Sequence, residues 1–267
     1  MGEFVQVDYL SRDIYLQDEI RFNLLSLALE HETARIFTDH KHVVICQVNV
    51  KTPIWVWTNE HVTEKELESL RECLYSHFTW KSYTTLMVKP EFIVFFKGIV
   101  EDILQEKCHI KTQMMSYGWS YTEAPFKKIG HMEKANLSMV QKVAELRARD
   151  INEMEHLGVS VTDLKKEAAW MIRTGNTYVW ISPDNRIVSL AFVAHRLPNQ
   201  ARINRVYTHP LMRRKGYSSM LMHELAKELY KEGRIAMVYA DATYPPSNGT
   251  YKKSGFIEQG LLYELGC

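Results

Sequence analysis

One short segment of the chain gathers groups suited to holding an anion. Val206-Tyr207-Thr208-His209-Pro210-Leu211-Met212-Arg213-Arg214-Lys215-Gly216-Tyr217-Ser218-Ser219 passes from a β-branched, aromatic stretch into a helical pattern through a cationic turn. The first amides of a helix have no partner inside it, point outward and carry the positive end of its dipole. Gly216 removes a side chain where phosphate oxygens would approach, and Arg213, Arg214 and Lys215 add positive charge beside it. This suits recognition of a pyrophosphate, although a basic turn before a surface helix can equally be solvated. The turn gains meaning from a second segment, Pro246-Ser247-Asn248-Gly249-Thr250-Tyr251-Lys252-Lys253-Ser254-Gly255-Phe256, which follows a strand-like stretch ending at Asp241.

Together the two segments resemble the GCN5-related N-acetyltransferase (GNAT) superfamily, whose pattern is R/Q-x-x-G-x-G/A in the first and N-x-x-Y-x-x-x-G-F in the second. Arg213, Gly216 and Ser218 supply the first, and Asn248, Tyr251, Gly255 and Phe256 the second. The resemblance runs over roughly residues 129 to 265, and VYTHPLMRRKGYSS is closest to the glycine N-acyltransferase-like (FR47-like) subgroup. It implies an acetyl-CoA-dependent N-acetyltransferase that moves an acetyl group directly to a primary amine of a small molecule or peptide. Val206, Tyr207 and Thr208 would then offer backbone groups to the pantetheine arm and polarise the thioester carbonyl, since preorganised amides stabilise a developing oxyanion. The turn from Arg213 through Arg214, Lys215, Gly216, Tyr217 and Ser218 to Ser219 would hold the pyrophosphate, and Asn248 would contact the cofactor arm. Tyr251 would sit near the sulfur, where a phenol of reference pKa ~10 stays protonated and can donate to the departing thiolate. Packing of Tyr251 on the sheet is the competing role.

Two positions depart from the family's pattern: Ser218 replaces Gly or Ala, and Tyr244 stands where relatives often carry Asn ahead of Pro. A general base is harder to find. The acceptor ammonium must lose a proton before attack, yet residues 202–208 contain no carboxylate. Asp241 is the first candidate, although a strand-end Asp also caps turns; His209, Glu264 or a chain of waters are alternatives. With no base assured, a non-catalytic acyl-CoA-binding or protein-interaction module is the alternative reading of the same fold. A nucleotide-binding protein is disfavoured because GxxxxGK[ST] does not occur.

The elements that must position these residues are clearest in the second half. Leu137 to Arg149 and Leu164 to Arg173 read as helices, Thr177 to Ile181 and Arg186 to His195 as a hairpin around Pro183-Asp184-Asn185, and Ala201 to Thr208 as a further strand. Ser218 to Lys231 reads as a helix ending at Gly233, and Ile235 to Ala240 as a strand. Antiparallel pairs followed by strand-helix-strand units predict an α/β fold with a mixed sheet. In the first half the spacing predicts one or two amphipathic helices up to about Thr38, strands at His42 to Val50 and Ile54 to Thr58, and a helix from about Glu64 to His77 behind a Thr63–Glu66 capping box. Phe92 to Phe96 reads as a buried strand, and Gly118 to Lys128 as a linker. The division is expected near residue 126, giving an N-terminal α/β domain (1–126) and a catalytic GNAT domain (127–267). No internal repeat is legible, but the first half is read as a degenerate copy of the same fold that caps or completes the acceptor site.

Composition narrows the functional classes. The chain has 267 residues, 46% hydrophobic, with 33 Lys+Arg against 32 Asp+Glu, so it can bury a large core and carries no field that would collect nucleic acid or an anionic membrane. No apolar run approaches the ~18 residues of a spanning helix, and MGEFVQVDYLSRD lacks the pattern of a signal peptide, so a cytoplasmic location is expected. Cys46, Cys73, Cys108 and Cys267 form no CxxC pair and read as reduced structural thiols. His40 and His42 have no third ligand nearby in sequence, so no metal is assigned. Trp55, Trp57 and Trp80, and Met212, Met220 and Met222, read as core or groove filling. Acyl chain length and oligomeric state have no signature in the sequence.

Overall fold

The computed structural model describes residues 4–123 and 126–267, which form two compact units. The first comprises the chain up to Ser116 with Ala240–Thr243 and Gln259–Cys267; the second comprises Tyr117–Tyr239 and Tyr244–Glu258. Residues 117–123 thus pack with the second unit although they precede position 126, and residues 259–267 pack with the first although they follow it.

The chain order of the first half is β1 (Val5–Val7), α1 (Asn23–Leu29), β2 (Arg35–Thr38), β3 (Val43–Gln47), β4 (Ile54–Thr58), α2 (Glu64–His77), β5 (Leu86–Val88), α3 (Ile93–Leu104) and β6 (His109–Trp119). Strands β2, β3 and β4 are antiparallel neighbours, and β5 lies parallel to β4 with Ile54 opposite Leu86. Every residue of β3 and β4 is buried, which explains why both read as continuous apolar runs instead of alternating ones. Val43, Ile45, Ile54 and Val56 pack with Leu70 and Leu74 of α2 and Phe96 and Ile99 of α3. Trp55 and Trp57 are buried in this unit and Trp80 packs against its core, as expected.

In the second half β7 (His131–Lys134) is followed by α4 (Val140–Met154), α5 (Val161–Arg173), β8 (Thr177–Ile181), β9 (Ile187–Arg196), β10 (Gln200–Thr208), α6 (Tyr217–Lys231), β11 (Ile235–Asp241), α7 (Pro245–Lys253) and β12 (Phe256–Gly266). Strands β7 to β10 are successive antiparallel neighbours, and β11 is parallel to β10. Val143, Leu146, Ala168, Val179 and Leu190 form the core on the α4–α5 face. The end of β12 pairs with β5, placing Leu265 opposite Leu86 in the first unit.

The halves share an order that the sequence conceals: four strands, a helix, a fifth strand, a helix and a sixth strand. They differ in what separates the first two strands, α1 in one half and α4 with α5 in the other.

Two first-half expectations are corrected. Phe92 to Phe96 is not a strand: Pro90–Phe92 is a 3-10 turn and Ile93 opens α3. The short apolar run is ambiguous by itself, but burial of Phe96, Ile99 and Val100 with Val94 left exposed shows the 3–4 spacing of a helix face. Arg35–Thr38, expected within a helix, is β2, where Ile36, Phe37 and Thr38 are buried. The expected linker at Gly118 to Lys128 includes Gly118 and Trp119 of β6, while positions 124–125 lie outside the described residues.

Candidate functional site

The site is built in the second unit at the carboxyl end of β10, which starts alongside β11. Their parallel ladder covers Gln200↔Ile235 to Arg202↔Met237, yet β10 continues to Thr208. Its other edge follows β9 through a bulge: three steps from Asn204 to Tyr207 oppose two from Phe192 to Leu190, and Arg205 takes a left-handed φ of 51°. A bulge bends and twists its strand. Among the described residues, the β11-facing edge of β10 is therefore unpaired by β11 beyond Arg202, which leaves backbone groups for an extended ligand.

The cationic turn follows directly. Arg214 (φ 62°) and Gly216 (φ 80°) both adopt left-handed geometry, and α6 starts with no capping side chain among the described residues. A Cβ built on Gly216 meets only Met220 Cε at 3.9 Å, so the space over the helix start is open. Arg213, Arg214 and Lys215 are exposed, whereas the side chains of Tyr217 and Ser219 are buried, so the latter two have their backbone to offer.

Arg213 is already engaged. Its Nη1 and Nη2 donate to Glu153 at 2.6 and 2.7 Å, and its Nε donates to the Thr208 carbonyl at 3.1 Å. The Tyr207 hydroxyl donates to the same Glu153 at 2.8 Å, and the guanidinium lies 5.2 Å from the Tyr207 ring centroid. Hydrogen bonding from Arg213, then from Tyr207, holds the Glu153 carboxyl below its ordinary range against the opposing effect of burial. Burial, then Glu153, pushes the Tyr207 phenol up. Arg213 thus braces the turn, leaving Arg214 and Lys215 as the side-chain cations nearer to use by a ligand.

Tyr251 lies on α7 with its ring 5.7 Å from Tyr117 and 6.0 Å from Phe256. It is buried, and burial, followed by the charge of Asp150 and by Tyr117, raises its pKa. Asn248, one helical turn earlier, donates Nδ2 to the Tyr244 carbonyl at 2.8 Å and accepts from the Tyr117 hydroxyl at 2.8 Å. Tyr117 also reaches Glu258 at 3.3 Å, and burial followed by Glu258 pushes its phenol up to about 12. Only glycine fits at position 255 of the motif: its φ is +89°, and a Cβ there would come within 2.4 Å of Thr122 Cγ2.

The base candidates are dispersed. Asp241 accepts at Oδ1 from the amide and hydroxyl of Thr243 at 2.8 and 2.6 Å, a turn-capping arrangement in the first unit. Glu264 sits in β12 opposite Met87. His209 lines a cleft of 420 Å³ with Lys142, Arg186 and Met212, and its pKa is lowered by burial and then by Arg149, Lys142 and Arg213. Glu153, Asp150, Tyr117 and Glu258 are absent from the sequence reading because their partners stand far away in the chain and no local motif marks them. Burial raises the Asp150 pKa against the opposing charge of Arg147.

All four cysteines are free, and burial pushes Cys46 and Cys73 up to about 12 and Cys108, also under the influence of Cys267, to about 11. No described helix is long and apolar enough to cross a membrane.

Residues 185–263, which contain the bulged strand, the cationic turn and Tyr251, match the family model described as FR47-like protein. No curated protein matches the chain in sequence. The fold is similar to a GCN5-related N-acetyltransferase from Sphaerobacter thermophilus, with TM-score 0.61 and 10% identity over 98% of this chain and 94% of that one. It is also similar to a GNAT-family acetyltransferase from Colwellia psychrerythraea, with TM-score 0.59 and 10% identity over 99% and 98% of the two chains. A Drosophila protein matches at TM-score 0.59 and 11% identity over 94% and 87%. The chain thus shares its fold with GNAT-family acetyltransferases over nearly its whole length, and its strand, cationic turn and Tyr251 helix lie in the segment that matches the FR47-like model.

Proposed function

We propose that the chain is an acetyl-CoA-dependent N-acetyltransferase acting on a primary amine. The observation that carries this reading is a contrast between corresponding helices. The first amides of α2 meet the reciprocal Thr63–Glu66 capping box, whereas α6 begins uncapped at a left-handed Gly216 beside Arg214 and Lys215. A helix start closed by its own side chains is a poor anion site, and an uncapped one with an open approach is a good one.

When bound, acetyl-CoA supplies an acetyl group on an activated thioester. In this reading the amides of Tyr217, Ser218 and Ser219, with Arg214 and Lys215, hold the pyrophosphate, while Glu153 fixes the turn through Arg213. The edge of β10 around Val206, Tyr207 and Thr208 pairs with the pantetheine arm, and its amides donate to the carbonyl oxygen as negative charge builds there. Asn248 borders the arm, and Tyr251 gives its hydroxyl proton to the departing thiolate sulfur. Asp241 remains the proposed acceptor of the ammonium proton, with Asp150 as the alternative because its charge acts on Tyr251.

Release of free thiol from acetyl-CoA in the presence of a panel of primary amines tests the reading. Amine-dependent release supports it, and repetition with Asn at Asp241 or at Asp150 identifies the base by the change in the acid limb of the pH–rate profile. The turn-capping role of Asp241 favours a second reading, a non-catalytic acyl-CoA-binding module. Thermal protection by acetyl-CoA without thiol release for any amine would select that second reading.

Glu153→Ala is expected to raise the KM for acetyl-CoA more than it lowers kcat, because the bidentate pair orients the turn and does not reach the reacting atoms. Steady-state kinetics at varied acetyl-CoA concentration separates the two; a fall in kcat alone would assign Glu153 elsewhere.

A further inference from the structure

The first unit contains an arrangement unrelated to acyl transfer. Asp39, in the turn between β2 and β3, and His42, just before β3, approach Glu66 in the first turn of α2. Ligand atoms from all three lie within 4.8 Å of one another. Each carboxylate has one oxygen secured from behind. Asp39 Oδ1 accepts from the amides of Lys41, His42 and Val43 at 2.8 to 2.9 Å. Glu66 Oε2 accepts from the Thr63 amide and hydroxyl at 2.7 and 2.8 Å. The other oxygens differ in kind: Glu66 Oε1 lies 2.8 Å from His42 Nδ1, and Asp39 Oδ2 is buried with no hydrogen-bond partner.

A buried carboxylate oxygen without a donor is costly, and what satisfies it is a positive charge or a proton. Carboxylate ligands held by their own hydrogen bonds are what a metal site requires behind its first ring of donors. We propose that Asp39, His42 and Glu66 form a site for a first-row divalent transition cation, with zinc as the probe. One imidazole nitrogen and two carboxylate oxygens suit zinc, cobalt or manganese and leave positions for water. Binding replaces the proton shared by His42 Nδ1 and Glu66 Oε1 with the metal. The imidazole proton moves to Nε2 if the ring is neutral, and one proton leaves to solvent if it is charged. At metal–ligand distances of about 2.0 to 2.2 Å the donors need to stand roughly 3 to 3.5 Å apart, so the His42–Glu66 pair at 2.8 Å has only to open slightly, and the Asp39 side chain has to move in from within 4.8 Å. Such a site ties the β2–β3 turn to the start of α2. The sequence conceals it, because His40, whose φ of 61° places it in an exposed turn, looks like the natural partner of His42, while the actual partners are Asp39 and a residue of the next helix.

The test uses the full chain stripped by a chelator, dialysed against zinc, desalted and counted for metal by mass spectrometry. The expected result is one zinc per chain in the wild type and in His40→Ala, with affinity at least about tenfold weaker in His42→Ala and in Asp39→Asn. Zinc should also raise the Tm of the wild type and not that of His42→Ala. Should either variant fail to fold, the visible spectrum of wild-type protein loaded with cobalt decides: bands distinct from aqueous cobalt support the site, and an aqueous spectrum overturns it. Equal zinc in His42→Ala and wild type would mean adventitious surface binding, and no retained zinc in the wild type would mean that Asp39 is completed by water or a proton; either result overturns the proposal.

Discussion

Tyr251→Phe is expected to lower turnover by roughly 10²- to 10⁴-fold, the usual worth of positioned acid catalysis, while acetyl-CoA affinity stays nearly unchanged. The substitution removes one oxygen and keeps the ring, so the contacts with Tyr117 and Phe256 persist and the fold has no reason to change. Affinity should persist because a proton donor acts on the leaving sulfur and contributes little to a bound thioester. The pH dependence adds a second check. Burial, then Asp150, then Tyr117 raise the phenol's pKa above its ordinary ~10, so the donor stays protonated through neutral and mildly alkaline solution. The wild-type kcat should therefore show no falling limb from this group below pH ~10. Wild-type turnover in the Phe variant would reduce Tyr251 to a packing residue.

The asymmetry between the halves explains how much was legible beforehand. In the second half, the strand at Thr177–Ile181 and the helix at Tyr217–Lys231 stand nearly where their patterns placed them, because a strand bounded by turn residues and a helix with one apolar face carry the information locally. In the first half, Arg35–Thr38 is a strand where a helix was expected, and Phe92 to Phe96 leads into a helix where a strand was expected, since tertiary burial decided what the local pattern left undetermined. The shared element order was invisible for a related reason: a capping box precedes α2 where a glycine and cations precede α6, so like orders of elements are built from unlike residues.

The candidate site divides in the same way. The proposed roles of Gly216 and Tyr251 were readable because they depend on residue type at fixed spacing within one turn or helix. Glu153 was not, because its meaning comes from meeting Arg213 and Tyr207 across the fold. The engagement of Arg213 also revises how the turn works. Three consecutive cations suggested three counter-charges, but the Arg213 guanidinium is engaged by Glu153 and the Thr208 carbonyl, so in the proposed function backbone amides would carry more of the anion's recognition than the sequence alone implied.

That revision sharpens the second large expectation, that Gly216→Glu abolishes acetyl-CoA binding while leaving the protein folded. Two effects of the substitution must be separated. A non-glycine residue at φ 80° is strained by roughly 1 to 2 kcal/mol, which lowers the Tm of the free protein. The Cβ itself meets only Met220 Cε at 3.9 Å, so the new side chain enters open space and does not dismantle the helix start. The loss of binding comes from placing a carboxylate where phosphate oxygens must sit, against amides that can serve only one anion. The informative quantity is therefore the Tm shift on adding ligand, not the Tm. For the wild type, a hundredfold excess of acetyl-CoA over its Kd stabilises by ~2.7 kcal/mol, whereas the variant should show no ligand-dependent shift. Gly216→Asn, which tolerates the left-handed conformation and adds no charge, should retain a reduced shift. If Gly216→Glu keeps the full wild-type shift, the pyrophosphate is held elsewhere and the assignment of this turn fails.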